Sequence, residues 1–377
     1  MFYNARQGND ARLQYCYYEI EKLTPIFNVC IEKRLAGVAN RQWDITTIDE
    51  SPEATQQAEF VKKIFLESDT RNEDGLTDAI RHLCMAAFRG RSAIKPFFTD
   101  DNKLILKQLQ NWNFLAYNNK LYWNPDCETF AWLNSSTMPE GIVELPKDEV
   151  CYLTNERPID MPGILIYLRQ LVGEEQWARF TEKCGIPQVI LTAPEGTPDE
   201  ALELWNRRAQ AIFEGGSGSL QAGSNVHLLT EARGSDIFST FIQHQMEQIS
   251  ILATGGTLMT IGGSTGLGSD LARVQQESFN SLVNLDCKRI SNAITNSIVR
   301  KCVKKFFNTD DLKIRFEFIE QDDTTADEYL TLAERCKAIG LTIDVAELKK
   351  LTKLSFISDE TESVWTPKRT VEEGEGI

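Results

Sequence analysis

Residues 252–308, LATGGTLMTIGGSTGLGSDLARVQQESFNSLVNLDCKRISNAITNSIVRKCVKKFFN, set two textures side by side. Positions 255–268 hold six glycines in fourteen places and no charged residue. From Asp270 to Phe307 neither glycine nor proline occurs, and Phe279, Val283, Ile290, Ile294 and Ile298 fall on a helical stripe. At 1.5 Å per residue an unbroken helix of that length reaches on the order of 55 Å, the span of a whole domain. The remainder of the chain has to be arranged around this pairing of a charge-free glycine segment with a long helix.

Upstream of it, Ser235 is placed to cap an apolar-rich helix through Phe238, Ile242, Ile249 and Leu252, a face expected to stay exposed on a single copy. Thr197-Pro198-Asp199-Glu200 has the form of a capping box with proline at the first helical position, leading into Leu202, Trp205, Ala209 and Ile212 and ending at Gly215-Gly216. A short strand, VHLLT (226–230), follows. A long helix is expected from Gly163 to about Cys184, stopped by Gly185 and Pro187. Between Lys103 and Thr154 the runs LILKQL, FLAY, KLYW, TFAWL and EVCYL, broken by Asn118-Asn119, Pro125-Asp126 and Pro139-Glu140-Gly141, predict an antiparallel β unit of short strands. Three amphipathic helices open the chain, over Pro25–Trp43, from Ser51-Pro52 onward, and from Leu76 to Gly90. Downstream, KIRFEFIE (313–320) alternates as one strand, and two short helices follow, capped by Thr325-x-x-Glu328 and Asp344-x-x-Glu347, before an acidic tail from Asp359. The fold class is α+β.

The chain has 377 residues, with 40 Lys+Arg against 55 Asp+Glu, and so a net charge of −15. That balance argues against clamping nucleic acid through its phosphates, which takes clustered Lys and Arg. It does not argue against a wall along which DNA must slide without sticking, where like charge would keep adhesion low. Nine cysteines without a CxxC pair read as reduced, mostly buried thiols in a cytosolic protein. No apolar run approaches the roughly 18 to 20 residues that cross a bilayer, and the first residues, MFYNARQGNDAR, signal neither export nor membrane insertion. Three histidines limit any imidazole or zinc chemistry.

Gly262-Gly263-Ser264-Thr265-Gly266 satisfies G-x-S-x-G, but a hydrolase of that type places its histidine after the serine, and none follows His244. A flexible Gly/Ser loop is the plainer reading. The same glycines cannot make a P-loop, because no lysine occurs between Lys183 and Lys288. His244 and Glu247, three apart, are too few ligands for a metal, so the histidines read as structural, with no metal and no cofactor expected. Trp205 with Arg207 and Arg208 reads equally as an interface anchor and as a core tryptophan beside two solvated arginines.

The order of these parts resembles the portal proteins of Mu-like tailed phages and prophages. The resemblance rests on PIFNVCIEKRLAGVANRQWDI (25–45), LTDAIRHLCMAAFRGRSAIKPFF (76–98), QWARFTEKCGIPQVI (176–190), LATGGTLMTIGGSTGLGS (252–269) and residues 271–308. Within them Trp177, Phe180, Glu182, Gly185 and Pro187 match a W-x-x-F-x-E-x-x-G-x-P signature, and Gly256-Thr257-Leu258 with Thr260 match a G-x-T-L-x-T run.

The resemblance implies a ring, typically of twelve copies, at a capsid vertex, through which terminase drives double-stranded DNA in and through which it later leaves. It implies a wing over 1–163, stem helices over 164–187 and 234–254, a clip over 188–233 and a tunnel loop over 255–269. It further implies a long wing or crown helix over 270–307, a wing strand over 308–324, and crown helices with an acidic tail over 325–377. The channel residues would be Gly255, Gly256, Thr257, Leu258, Met259, Thr260, Ile261, Gly262, Gly263, Ser264 and Thr265, and the clip contacts Trp205, Arg207 and Arg208. The implied partners are further copies of the chain, the terminase large subunit, major capsid and scaffold proteins and a head-tail adaptor, with no membrane and no enzymatic activity. The place implied is the virion, and the host cytoplasm during assembly. Gly173, in YLRQLVGEE (167–175), interrupts a helix that is more continuous in the family. Two other classes stay open on the residues alone, a G-x-S-x-G serine hydrolase and a soluble helical scaffold without a channel.

Overall fold

The computed structural model describes residues 10–70, 74–117, 120–124, 142–184, 188–214, 222–229, 235–257, 270–319, 326–340 and 348. The chain divides into two compact units, Met1–Ile319 and Glu320–Ile377. It is mostly helical, with four small antiparallel sheets among the described residues.

In the first unit, α1 (Ala11–Leu23) and α2 (Pro25–Ala39) precede strand β1 (Trp43–Thr47), and α3 (Pro52–Asp69) leads to α4 (Leu76–Cys84) and a single turn, α5 (Ala86–Arg89). Ser51 caps α3 with Pro52 at its first position, its hydroxyl accepting from the Ala54 amide at 3.2 Å. Gly90 ends α5 at φ 86°, a left-handed conformation that glycine adopts without a Cβ penalty. Helix α1 was not signalled in the sequence. The helix expected over Pro25–Trp43 stops at Ala39, because Trp43–Thr47 pairs with Phe318–Ile314, the strand β10 (Ile314–Phe318) that the alternation of KIRFEFIE predicts.

Strands β2 (Arg91–Phe98), β3 (Leu104–Leu109) and β7 (Cys151–Thr154) form one sheet in the order β3-β2-β7. Strands β4 (Phe114–Tyr117), β5 (Lys120–Trp123) and β6 (Val143–Leu145) form another in sequence order. The expected antiparallel unit is present, but its central strand is RSAIKPFF (91–98), which lies upstream of the predicted run. TFAWL (129–133) lies outside the described residues.

One core joins the helices to β1, β10 and the β3-β2-β7 sheet, while Phe114, Leu121 and Leu145 of the β4-β5-β6 sheet pack in a smaller cluster with Ala93, Leu109 and Val150. Phe27 and Val38 of α2, Phe65 of α3, Leu83 of α4, Ile94 of β2 and Phe316 of β10 are buried together, each large side chain removed from water stabilising by roughly 1.5–3 kcal/mol. The long helix supplies Val283, Ile290, Ile298 and Val303 to the same core. It is not uniform: α9 (Asp270–Ile294) passes through a π turn (Thr295–Val299) into α10 (Arg300–Phe307). At that widened turn the Thr295 hydroxyl accepts from the Phe316 amide at 3.0 Å, so the helix is bound to β10 where its ladder changes. In the second unit, α11 (Ala326–Ala338) is followed by Gly340 at φ 82°, the stop expected there, and the proposed caps at Thr325 and Asp344 lie outside the described residues.

Helix α6 (Asp160–Cys184) and helix α8 (Ser235–Thr254) pack along each other. Gly173 faces Phe241 and Phe180 meets Phe238 with ring centroids 5.4 Å apart, so residue numbers rise on one helix as they fall on the other and the pair is antiparallel. Gly173 therefore does not break the helix; it sits where a Cβ would come 2.9 Å from the Phe241 ring. At Gly163 a Cβ would come 2.4 Å from Cζ of Phe27, which is fully buried.

This contrast gives a prediction. Gly163→Ala should lower stability by about 1–3 kcal/mol, because Phe27 has nowhere to go. Gly173→Ala should be near neutral, since Phe241 is exposed and can turn aside while the helix gains from losing a glycine. Denaturant unfolding of both variants checks this; an equal loss would contradict it.

Candidate functional site

The helix pair α6–α8 and what is attached to its two ends form the candidate site. At the far end, β8 (Gln188–Thr192) pairs with β9 (Asn225–Leu229), Gln188 opposite Leu229 and Thr192 opposite Asn225. Helix α7 (Leu202–Phe213) packs on β8. The capping box does not form: the Thr197 hydroxyl donates to the Pro194 carbonyl at 2.6 Å, and Asp199–Ala201 makes a 3-10 turn before α7 begins. A Pro-Glu-Gly-Thr turn thus takes the hydroxyl that the sequence assigns to the helix.

Trp205 is buried within the chain, with the Arg208 guanidinium 5.0 Å above its ring. Arg207 is exposed and paired with Glu203 one turn earlier at 2.7 Å. Structure thus makes Trp205 the packing residue of this small unit and leaves the two arginines at its surface.

The apolar positions of α8 are divided differently from the expectation. Ile242 and Ile249 are buried and Phe238 and Leu252 half-buried, packed inside the chain instead of being left for a neighbour. Helical spacing shows which residues share a face; it does not show that α6 and α2 already cover it. The exposed large apolar side chains are instead Ile237, Phe241 and Ile251 of α8 and Met161, Leu165, Leu168, Leu171, Val172 and Trp177 of α6.

At the near end, α6 starts in a buried polar cluster. Arg89 donates Nε to Oε1 of Glu21 at 2.8 Å and Nη2 to Oε2, with the Tyr18 ring against its guanidinium. Asp160, the first residue of α6, lies fully buried beside Glu21. Burial, then the Glu21 charge and hydrogen bond, hold its carboxyl well above the usual value of 3.8, Arg89 opposing. Both Asp160 oxygens are buried without a donor to accept from, which favours the protonated carboxyl beside the Glu21 carboxylate. Sequence reading missed this cluster and the buried Arg34–Asp286 pair at 2.7 Å. The available signal was a charge on an apolar stripe: Arg34 lies seven residues after Phe27 and three after Ile31.

Beyond α8 the chain runs through Gly255, Gly256 and Thr257; Leu258, Met259, Thr260, Ile261, Gly262, Gly263, Ser264 and Thr265 lie outside the described residues. Gly255 is left-handed at φ 77°, and a Cβ on Gly256 would come 2.4 Å from Oε1 of Gln275. Of the histidines, His82 is buried and hydrogen-bonded to the Leu109 carbonyl at 3.1 Å, and burial with the Arg89 charge pushes it down to about 4. His227 and His244 are exposed. Among the described residues no group of three His, Cys, Asp or Glu could hold a metal, and no helix is long and apolar enough to cross a membrane.

A mostly helical α+β body with a few small antiparallel sheets is consistent with the fold of a phage portal subunit. The chain belongs to the family of the portal protein of Mu bacteriophage, whose family model matches residues 14–354. Its role is that of a portal at a capsid vertex, and the family is a structural one.

The fold is similar to a chain in the virion of a native gene transfer agent particle, with TM-score 0.59 and 11% identity over 92% of this chain and 94% of that one. It is similar also to a chain in the neck of the native particle computed with C12 symmetry, with TM-score 0.57 and 11% identity over 89% and 92%. A chain in the neck of the empty particle computed with C6 symmetry gives TM-score 0.57 and 11% identity over 90% and 94%. No curated protein sequence matches the chain.

The Asp160 cluster predicts a pH dependence. The folded chain keeps a proton that unfolded Asp releases near 3.8, so this group's contribution to stability falls as pH rises above that value toward the raised folded one. Asp160→Asn keeps a donor toward Glu21 and cannot ionise. It should remove this decline and be the more stable protein at the upper end of a pH 4–8 unfolding series; parallel curves would contradict the assignment.

Proposed function

We propose that copies of this chain close into a ring, of twelve by the family's habit, around a channel for double-stranded DNA. The ring takes DNA in from the terminase motor and later lets it out through the neck. In this reading α6 and α8 are the stem, β8–α7–β9 the clip meeting terminase and the head-tail adaptor through Arg207 and Arg208, and 255–269 the tunnel loop. The body and the long helix are the wing, touching major capsid and scaffold proteins, and residues after 325 belong to the crown. The virion vertex is the place of action, reached by assembly in the host cytoplasm.

The observation that carries the reading is the family match over nearly the whole chain. Physical support comes from the helix pair, where nine large apolar side chains stay exposed on two adjoining helices, a surface that soluble monomers rarely keep. A heterologous contact repeated around an axis would cover it. The charge balance fits as well: at −15 the wall repels phosphates, and the stretch 255–268 adds no charge of its own.

Mass photometry of the purified chain should show one large closed species. Leu168→Glu with Leu171→Glu should shift it toward single copies while the fold is retained, because both positions are already exposed. A wild-type chain that stays monomeric and folded across concentrations and salts would overturn the reading.

A further inference from the structure

Helix α8 does not fray where the glycine stretch begins. Among its last carbonyls, which lack a partner inside the helix, that of Ala253 takes a donor from α2, and hydroxyls of the last turn hold the Gly256 carbonyl just beyond the helix. Arg34 of α2 donates Nη1 to the Ala253 carbonyl at 2.8 Å while its Nε holds Asp286 of α9 at 2.7 Å, both buried. The Ser250 hydroxyl reaches forward to the Gly256 carbonyl at 2.7 Å. The Thr254 hydroxyl lies 2.8 Å from the Ser250 carbonyl and 2.9 Å from that of Gly256, its single proton shared between them. Gly255 and Gly256 then turn against α9, where a Cβ would come 2.8 Å from the Ser278 hydroxyl and 2.4 Å from Gln275.

Here the three donors Arg34, Ser250 and Thr254 meet the carbonyls of Ser250, Ala253 and Gly256, and a cation sits at the negative end of the helix dipole. We propose that Ser250, Thr254, Arg34 and Asp286 are positioning residues that clamp the outgoing end of α8 to α2 and α9. The stretch that follows therefore leaves from one fixed point. A pull on it passes through Arg34 and the Gly256 carbonyl into the body instead of unwinding the last turn of the helix. The use of that pull rests on the reading of 255–269 as the DNA-facing stretch; the clamp itself does not.

The test uses isosteric pairs in the full-length chain. Ser250→Ala with Thr254→Val removes both hydroxyls at similar shape, and Ser250→Thr with Thr254→Ser keeps them. Amide exchange of residues 252–257 should quicken about tenfold or more in the first variant, with the global unfolding midpoint unchanged, and stay at the wild-type rate in the second. Exchange that does not change, or that changes equally in both variants, overturns the clamp.

In a phage complemented with each variant, the hydroxyl-less chain should give fewer filled particles and the hydroxyl-keeping chain wild-type numbers. Faster exchange with unchanged filling would reduce the clamp to a structural detail and overturn its positioning role. The exchange result stands whether or not DNA meets the stretch, so failure of the channel reading shows separately.

Discussion

Two charges are held out of water where α2, α8 and α9 meet, and the arrangement of those helices depends on their staying paired. Arg34 and Asp286 are 7% and 4% exposed, so neither can fall back on solvent. Removing one partner of such a pair costs about 3–5 kcal/mol, chiefly because the other is left buried and uncompensated. The guanidinium also caps α8 at Ala253 and lies against the Phe88 ring. One side chain thereby sets the root of the helix pair, the start of the glycine stretch and the seating of the long helix. Asp160, Glu21 and Arg89 do the same at the root of α6, so both helices of the pair are fixed by buried polar groups where they enter the body.

Outside the body the pair is held differently. Phe180 on Phe238 and Gly173 against Phe241 bring the helices together, while Leu165, Leu168 and Ile237 remain in solvent. A rigid root with an apolar, uncovered shaft fits a part completed by its neighbours. Precision is spent where geometry has to be kept, and apolar surface is left where another copy has to bind.

Much of the helical skeleton was legible in the sequence because apolar spacing is a local signal. Ser51-Pro52, the Gly90 and Gly340 stops and the alternation in β10 all appear where their residues place them. What was not legible was decided over long distances. Nothing local shows that Trp43–Thr47 waits for a strand more than 260 residues later, or that RSAIKPFF is the middle of a sheet. Thr197 does not cap α7 because its hydroxyl is turned back to the Pro194 carbonyl and a 3-10 turn intervenes before the helix. The face through Phe238 and Ile242 was identified correctly as apolar and assigned to the wrong partner, since periodicity does not say what covers a face. Arg34 and Asp160 were passed over because a charge is ordinarily read as solvated.

In the proposed reading the glycine stretch after α8 faces DNA in transit: it carries hydroxyls but no charge, so it would meet phosphates weakly and release them. The most direct measurement replaces Thr257 and Thr260 with lysine and compares virion yield and packaged genome length with a matched double lysine substitution at Thr361 and Ser363 in the acidic tail. Added phosphate attraction repeated around a ring should hold the duplex, lowering yield and shortening the packaged DNA in the first variant alone. Equal outcomes in the two variants would contradict the placement of this stretch in the channel.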